Sequence, residues 1–270
     1  MLYRFFLPIF CSLQFSASAQ FVPQLLFNLK DTDPLKMALF DSDSLTEFGE
    51  VLWRPTTFED RLKADVSDDG YFHTELDTIL YFATFGIKRA VAIFATYNYQ
   101  KGQLNACPNC SARLSAATFD ETISGQWQIE LFWKHFTALG SNGENGLVGI
   151  TQFGENQWCL RLEMGWVGSH TYSEQVSFWD LENFDRIFSY ISHEDNGATA
   201  NIDSENAYSF DRTMHFINLE EDTKESAWWD FDLVSRGAKI DEAADKAVPA
   251  NLVQRYTFDW EAGMYRKVCE

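Results

Sequence analysis

The chain has 270 residues, 21 basic and 40 acidic, for a formal net charge of -19, and it is 46% hydrophobic and 16% aromatic. That much apolar material excludes a disordered chain, and 15 Gly with 6 Pro exclude a collagen-like or linker protein. The acid excess argues against nucleic acid and against anionic lipid, which both need clustered Lys and Arg, and leaves cations and neutral ligands as partners.

Arg4 precedes the apolar run Phe5 to Leu13, and Ala17-Ser18-Ala19 fits the small-x-small cleavage rule. Residues 1–19 therefore read as an export signal peptide, too short to span a bilayer. Residues 20–270 are expected to form a single mainly β domain, soluble and monomeric, without membrane insertion of the mature chain, in the periplasm or secreted. Residues 20–43 read as strand and loop around Leu25-Leu26-Phe27 and Met37-Ala38-Leu39-Phe40. Ser44 with Glu47 suggests a capping box, and Leu45, Phe48 and Leu52 then follow helical spacing up to Pro55. Thr57 with Asp60 marks a second short helix.

From residue 74 the period changes. Thr78 to Phe85 and Ala90 to Tyr97 are β-branched and aromatic runs joined around Gly86, apolar on both faces, so they predict a central hairpin covered on both sides. Trp127, Ile129, Leu131 and Trp133 alternate with polar residues, as do Trp158, Leu160, Leu162 and Met164. Val176 with Phe178, and Trp229 with Phe231 and Leu233, do the same. A period of two predicts half-buried strands. Gly-rich turns at Asn142-Gly143, Asn145-Gly146, Gly154-Glu155 and Asn196-Gly197 separate them. Ile240, Ala243, Ala244 and Ala247 follow a helical stripe that Pro249 stops. Tyr256, Phe258 and Trp260, a turn at Glu261-Ala262-Gly263, and Met264 to Val268 predict a closing hairpin. The sum is a mainly β fold, an antiparallel meander or sandwich-like pair of sheets with a few short helices, and α+β as the alternative.

Of the five Cys, Cys11 lies in the leader. Cys107, Cys110, Cys159 and Cys269 remain, an even number that favours disulfides in an oxidising compartment, with Cys107–Cys110 and Cys159–Cys269 the preferred pairs. The Cys107-Pro108-Asn109-Cys110 motif is also compatible with redox exchange, which needs a thiolate stabilised at a helix N-terminus such as one starting at Ser111. It is compatible as well with half a metal site. The five His (His73, His135, His170, His193, His215) lack helical pairing, so no metal site is predicted, and no cofactor. Asp65, Ser67, Asp69 and Gly70 imitate a calcium loop, but Leu76 stands where its last ligand belongs, so a solvated acidic turn is the better reading. Glu130, Glu163 and the Asp180, Glu182, Asp185 cluster supply carboxylates for acid–base work, yet 40 acids make such clusters by chance. No nucleophile elbow, P-loop or dinucleotide-binding glycine pattern occurs.

Nine Trp suggest carbohydrate stacking. Trp127, Trp133, Trp158 and Trp229 lie on apolar strand faces and read as core. Trp53, Trp166, Trp179, Trp228 and Trp260 are freer. Gly165 and Gly168 would present Trp166 on a loop, and Trp179 stands beside Asp180. Trp166, Trp179 and Asp180 are thus the candidate ligand-binding residues.

The leader, "YFHTELDTILYF", "AVAIFATYNY", "CPNCSARLSAATF", "GQWQIE" and the final "YTFDWEAGMYR" together resemble a family of exported bacterial proteins of unknown function, in which a short Cys pair precedes a Gly-x-Trp strand. The resemblance covers about residues 70–268 and implies a bacterial periplasmic origin. It carries over no catalytic residue. The expectation is an exported protein acting by non-catalytic binding or in envelope upkeep. The rivals are a thiol–disulfide or metal-handling protein using Cys107 and Cys110, and a glycan-binding or glycan-hydrolysing protein.

Overall fold

The computed structural model describes residues 25–42, 45–54, 71–100, 103–104, 111–140, 146–167, 171–196, 207–217, 228–241 and 246–268. The leader, the predicted helix at Thr57 and Asp60, and the acidic turn Asp65 to Gly70 lie outside them. The chain is mainly β, with antiparallel sheets and one helix among the described residues.

The first sheet holds β1 (Leu26–Phe27), β2 (Val51–Trp53), β3 (Tyr71–Thr84), β4 (Ile87–Gln100), β6 (Ala112–Glu121) and β7 (Trp127–Leu139), in the order β1-β7-β6-β4-β3-β2. β5 (Gln103–Leu104) pairs with β4 to one side. The predicted hairpin is β3–β4, turning at Phe85-Gly86. Both of its faces are covered, as its two-sided apolar pattern requires. Ala90, Ala92 and Phe94 point into one core, and Val91, Ile93 and Ala95 into another.

The expected strand-and-loop start contains a helix instead, α1 (Asp33–Phe40). Pro34 in its first turn presets the backbone angle, and Asp41 in the left-handed region ends it. Its Leu35, Leu39 and Phe40 roof the first core over β2–β4, β6 and β7. Eight residues are too few to be helical alone, so burial of this face holds the helix. The helix predicted from Leu45 onward is absent. Leu45 bridges to Val51, residues 47–49 turn, and β2 follows. Thr46 accepts from the Phe48 and Glu50 amides, so its hydroxyl organises a turn.

The second sheet holds β8 (Leu147–Gln152), β9 (Trp158–Val167), β10 (Tyr172–Asp180), β11 (Arg186–Asp195), β12 (Ser209–Phe216), β13 (Phe231–Asp241), β15 (Leu252–Asp259) and β16 (Met264–Lys267), in the order β16-β15-β13-β12-β11-β10-β9-β8. β14 (Lys246–Pro249) pairs with β13 beside this path. Leu160 and Leu162 face the first sheet and share its second core with Leu114 and Leu139. The other face curls around a third core, made largely of rings. Phe153 lies at its centre, fully buried, with Phe178 at 4.7 Å, Phe216 at 4.9 Å and Tyr265 at 5.6 Å between ring centroids.

The predicted helix over Ile240 to Ala247 is a hairpin. Ile240 pairs with Ala247 and Ala238 with Pro249 across β13–β14, so the two ends of the stripe are cross-strand partners; Ala243 and Ala244 lie outside the described residues. Gly237, at φ +112, marks where β13 leaves β15 for β14. A Cβ there would lie 2.3 Å from the Ser209 carbonyl oxygen.

The expected single face for Trp127, Ile129, Leu131 and Trp133 also fails. Thr118 pairs with Leu131 but Phe119 with Ile129, leaving Glu130 as an extra residue. This bulge inverts the alternation, so Phe132 joins Ile129 in the first core while Trp133 turns to the second.

Candidate functional site

Of the cysteines, Cys107, Cys110 and Cys269 lie outside the described residues, so both preferred pairings do too. Cys159 on β9 is a buried free thiol in the third core. Burial, and then the negative charge of Asp180, push its pKa well above the usual thiol range, opposite to what a reactive thiolate needs. The segment after the Cys pair, expected as a helix from Ser111, is strand β6. No helix N-terminus therefore follows Cys110 to stabilise a thiolate.

Trp166, Trp179 and Asp180 stand apart from the groove described below, which none of them lines. Trp166 is not on a loop, because β9 continues to Val167, and it stands half-buried opposite Ser173. Gly165 instead admits the Tyr172 ring, whose hydroxyl would lie 2.8 Å from an added Cβ. Trp179 packs edge-on to Phe136 at 5.3 Å in the second core and donates to Ser177 Oγ at 3.1 Å. Asp180 is 8% exposed and accepts from the Glu182 amide, which makes it a turn former between β10 and β11. Burial pushes its pKa up to about 6. Among the other Trp read as free, Trp53 and Trp228 are buried and Trp260 is exposed.

The structure brings together different groups. Trp127, read as core, packs against the first core and also lines a groove of about 550 Å³ together with Asn28, Lys30, Tyr81, Glu121 and Gln126. The groove lies where the turn after β1 meets the β6–β7 turn and the end of β3. Tyr81 is 55% exposed and stands 5.5 Å from the Trp127 ring, with the two planes inclined at 56°. Tyr81 faces this way because β3 also carries a bulge. Leu76 pairs with Phe94 but Thr78 with Ile93, so Ile79 and Tyr81 take the face that Phe72 and Leu76 hold earlier. Glu121 pairs with Lys88 at 3.0 Å. Asn28 Oδ1 accepts from the Lys30 amide at 3.1 Å, fixing the turn that forms one wall.

Two histidine clusters also form. On β10–β12, His193 lies between Asp211 (2.7 Å) and Asp195 (2.8 Å), with Glu174 directly across β10. The hydrogen bonds to Asp211 and Asp195 raise its pKa. Beneath α1, His73 pairs with Glu50 at 2.9 Å, and buried Lys36 pairs with Asp33 at 2.8 Å and donates to the Gly49 carbonyl. Burial would raise the Glu50 pKa, but its bonds with His73 and Thr46 outweigh that and hold it low. Both clusters tie neighbouring elements together: β11 to β12, and α1 to β2 and β3. Neither opens on the groove. Among the described residues no group of three or more His, Cys, Asp or Glu is placed to hold a metal ion. No described helix is long and apolar enough to cross a membrane.

Periodicity missed the groove because it assigns Trp127 by its place in an alternating run. The usable signal was Tyr81, an aromatic near the tip of a hairpin. No family model, no curated protein and no solved structure matches the chain.

Proposed function

We propose that this is an exported binding protein that works without catalysis, and that its ligand rests in the groove lined by Trp127 and Tyr81. The observation that carries this reading is an exposed tyrosine beside a tryptophan in an open groove of about 550 Å³. Ligand sites have this volume, and aromatic side chains beside polar groups recur in them. The carboxylates favour a structural assignment over acid–base work. Glu163 is paired with Arg161 at 3.0 Å, Glu130 is exposed in a bulge, and Asp180 is tied into its turn. Export rests on the leader in residues 1–19 and on the resemblance to exported bacterial proteins.

Thermal denaturation of the purified protein, run against a mixed panel of neutral, cationic and anionic small molecules and peptides, tests the reading. A ligand should raise the melting temperature of the wild type, and Tyr81→Ala should abolish the rise. A ligand whose effect ignores Tyr81→Ala, or one that the protein turns over, would contradict it.

A further inference from the structure

We infer that the groove takes a neutral saccharide, an inference that rests on the groove being the ligand seat. The aromatic wall and the rim both narrow the chemistry. Tyr81 and Trp127 both line it with ring planes inclined at 56°, so the aromatic wall is bent rather than a flat slot for one planar aromatic. Sugar rings present C–H faces that rest on aromatic faces and hydroxyls that point outward around the edge. The rim meets such hydroxyls with the side-chain amides of Asn28 and Gln126, the ammonium of Lys30 and the carboxylate of Glu121. A hydroxyl both donates and accepts, so it can use an amide, a cation or a carboxylate alike.

Charge favours a neutral ligand. The chain carries -19, which repels anions at long range. Lys30 and Glu121 both line the groove, and Glu121 is paired with Lys88, so charges of both signs stand there. A mixed lining of this kind is not built for a ligand of one sign. An acyl chain would leave the rim's charged and amide groups facing apolar matter, which is unfavourable without hydrogen-bonding partners. Stacking and hydroxyl recognition require neither net charge nor a dry cavity, and water can complete the rim contacts.

Isothermal titration of the wild-type protein tests this with neutral gluco-oligosaccharides and N-acetylglucosamine oligosaccharides. A uronic-acid oligosaccharide serves as the anionic probe, and Nile red as a neutral apolar one. The expected result is binding of at least one neutral saccharide, weakened about tenfold or more by Tyr81→Ala, retained in Tyr81→Phe, and unchanged by Trp260→Ala. Tyr81 and Trp260 are 55% and 61% exposed, so neither substitution threatens the fold. Tighter binding of the uronic acid than of any neutral saccharide overturns the inference. So does saccharide binding that Tyr81→Ala leaves intact. Nile red binding lost in Tyr81→Ala, with no saccharide bound, overturns the sugar assignment but keeps the groove as a seat. No Tyr81-dependent binding of any probe overturns both.

Discussion

In the first sheet, β4 and β6 fill both faces with small and medium side chains, and Ala90, Ala92, Ala95, Ala116 and Ala117 are all fully buried. In the second sheet, the concave side is filled by rings, from Phe153 and Phe178 to Phe231 and Tyr265. The difference follows from geometry. A sheet covered by α1 on one side and by a second sheet on the other has little depth at its centre, and alanine lets both layers close. A sheet that curls on itself leaves a wide hollow, and rings fill it with the fewest voids. The two places should therefore be most vulnerable to opposite changes, loss of bulk in the second sheet and added bulk in the first.

Removing a ring from the second sheet is expected to have the largest effect. Phe153→Ala should lower stability by about 3–5 kcal/mol, read from the midpoint of urea unfolding, because several rings lose contacts and the cavity cannot collapse. A loss below about 1 kcal/mol would mean that the curl is not closed around Phe153. Adding bulk to the first sheet comes next. Ala117→Leu should cost about 1–3 kcal/mol by overpacking, although it adds apolar surface. A neutral or stabilising result would show slack between β6 and α1.

A smaller effect, of the other sign, is expected where the second sheet turns. Burial raises Asp180 to about 6, so the folded state binds its proton more tightly than the unfolded chain. Its contribution to stability is greatest below about pH 4 and falls as pH rises to about 6. Asp180→Asn keeps an acceptor for the Glu182 amide. It should stabilise the protein by on the order of 1–2 kcal/mol at pH 7, with no gain at pH 4. A gain independent of pH would contradict this account. The smallest effect is expected at the β11–β12 seam, where the register holds His193 against Asp211, Glu194 against Phe210 and Asp195 against Ser209. The pKa of His193 is raised, so its stabilisation is full below the ordinary histidine value of about 6.5 and lost as pH rises through the folded value. His193→Gln should therefore lower the melting temperature at pH 6 by an amount worth under about 1 kcal/mol, and less at pH 9. An equal loss at both pH values would contradict the ion-pair account.

The same contrast explains how much could be read in advance. The β3–β4 hairpin, the Trp158 to Met164 face and the closing hairpin over Tyr256 to Val268 were legible, because each keeps a period of two or has a clear turn. Bulges defeated the rest of the first sheet. An extra residue at Glu130 sends Trp133 away from Ile129, and one near Asp77 turns Tyr81 toward the groove, with no local mark in either run. Helix α1 was missed because tertiary burial of Leu35, Leu39 and Phe40 holds so short a segment. The stripe from Ile240 to Ala247 misled for another reason: Ile240 and Ala247 are cross-strand partners, and helical spacing places the same two residues on one face. The groove forms where three separate segments meet: the turn after β1, the end of β3 and the β6–β7 turn. Periodicity within one segment does not reveal such a meeting: it gives Trp127 its place against the first core but not its share in the groove.

The ligand seat is tested most directly by the indole N–H signal of Trp127 in a two-dimensional nitrogen–proton NMR spectrum, assigned by its loss in Trp127→Phe. During titration with a bound neutral oligosaccharide this signal should shift progressively, while the signals of Trp228 and Trp260 stay in place. A Trp127 signal that holds still while another indole moves would contradict the account.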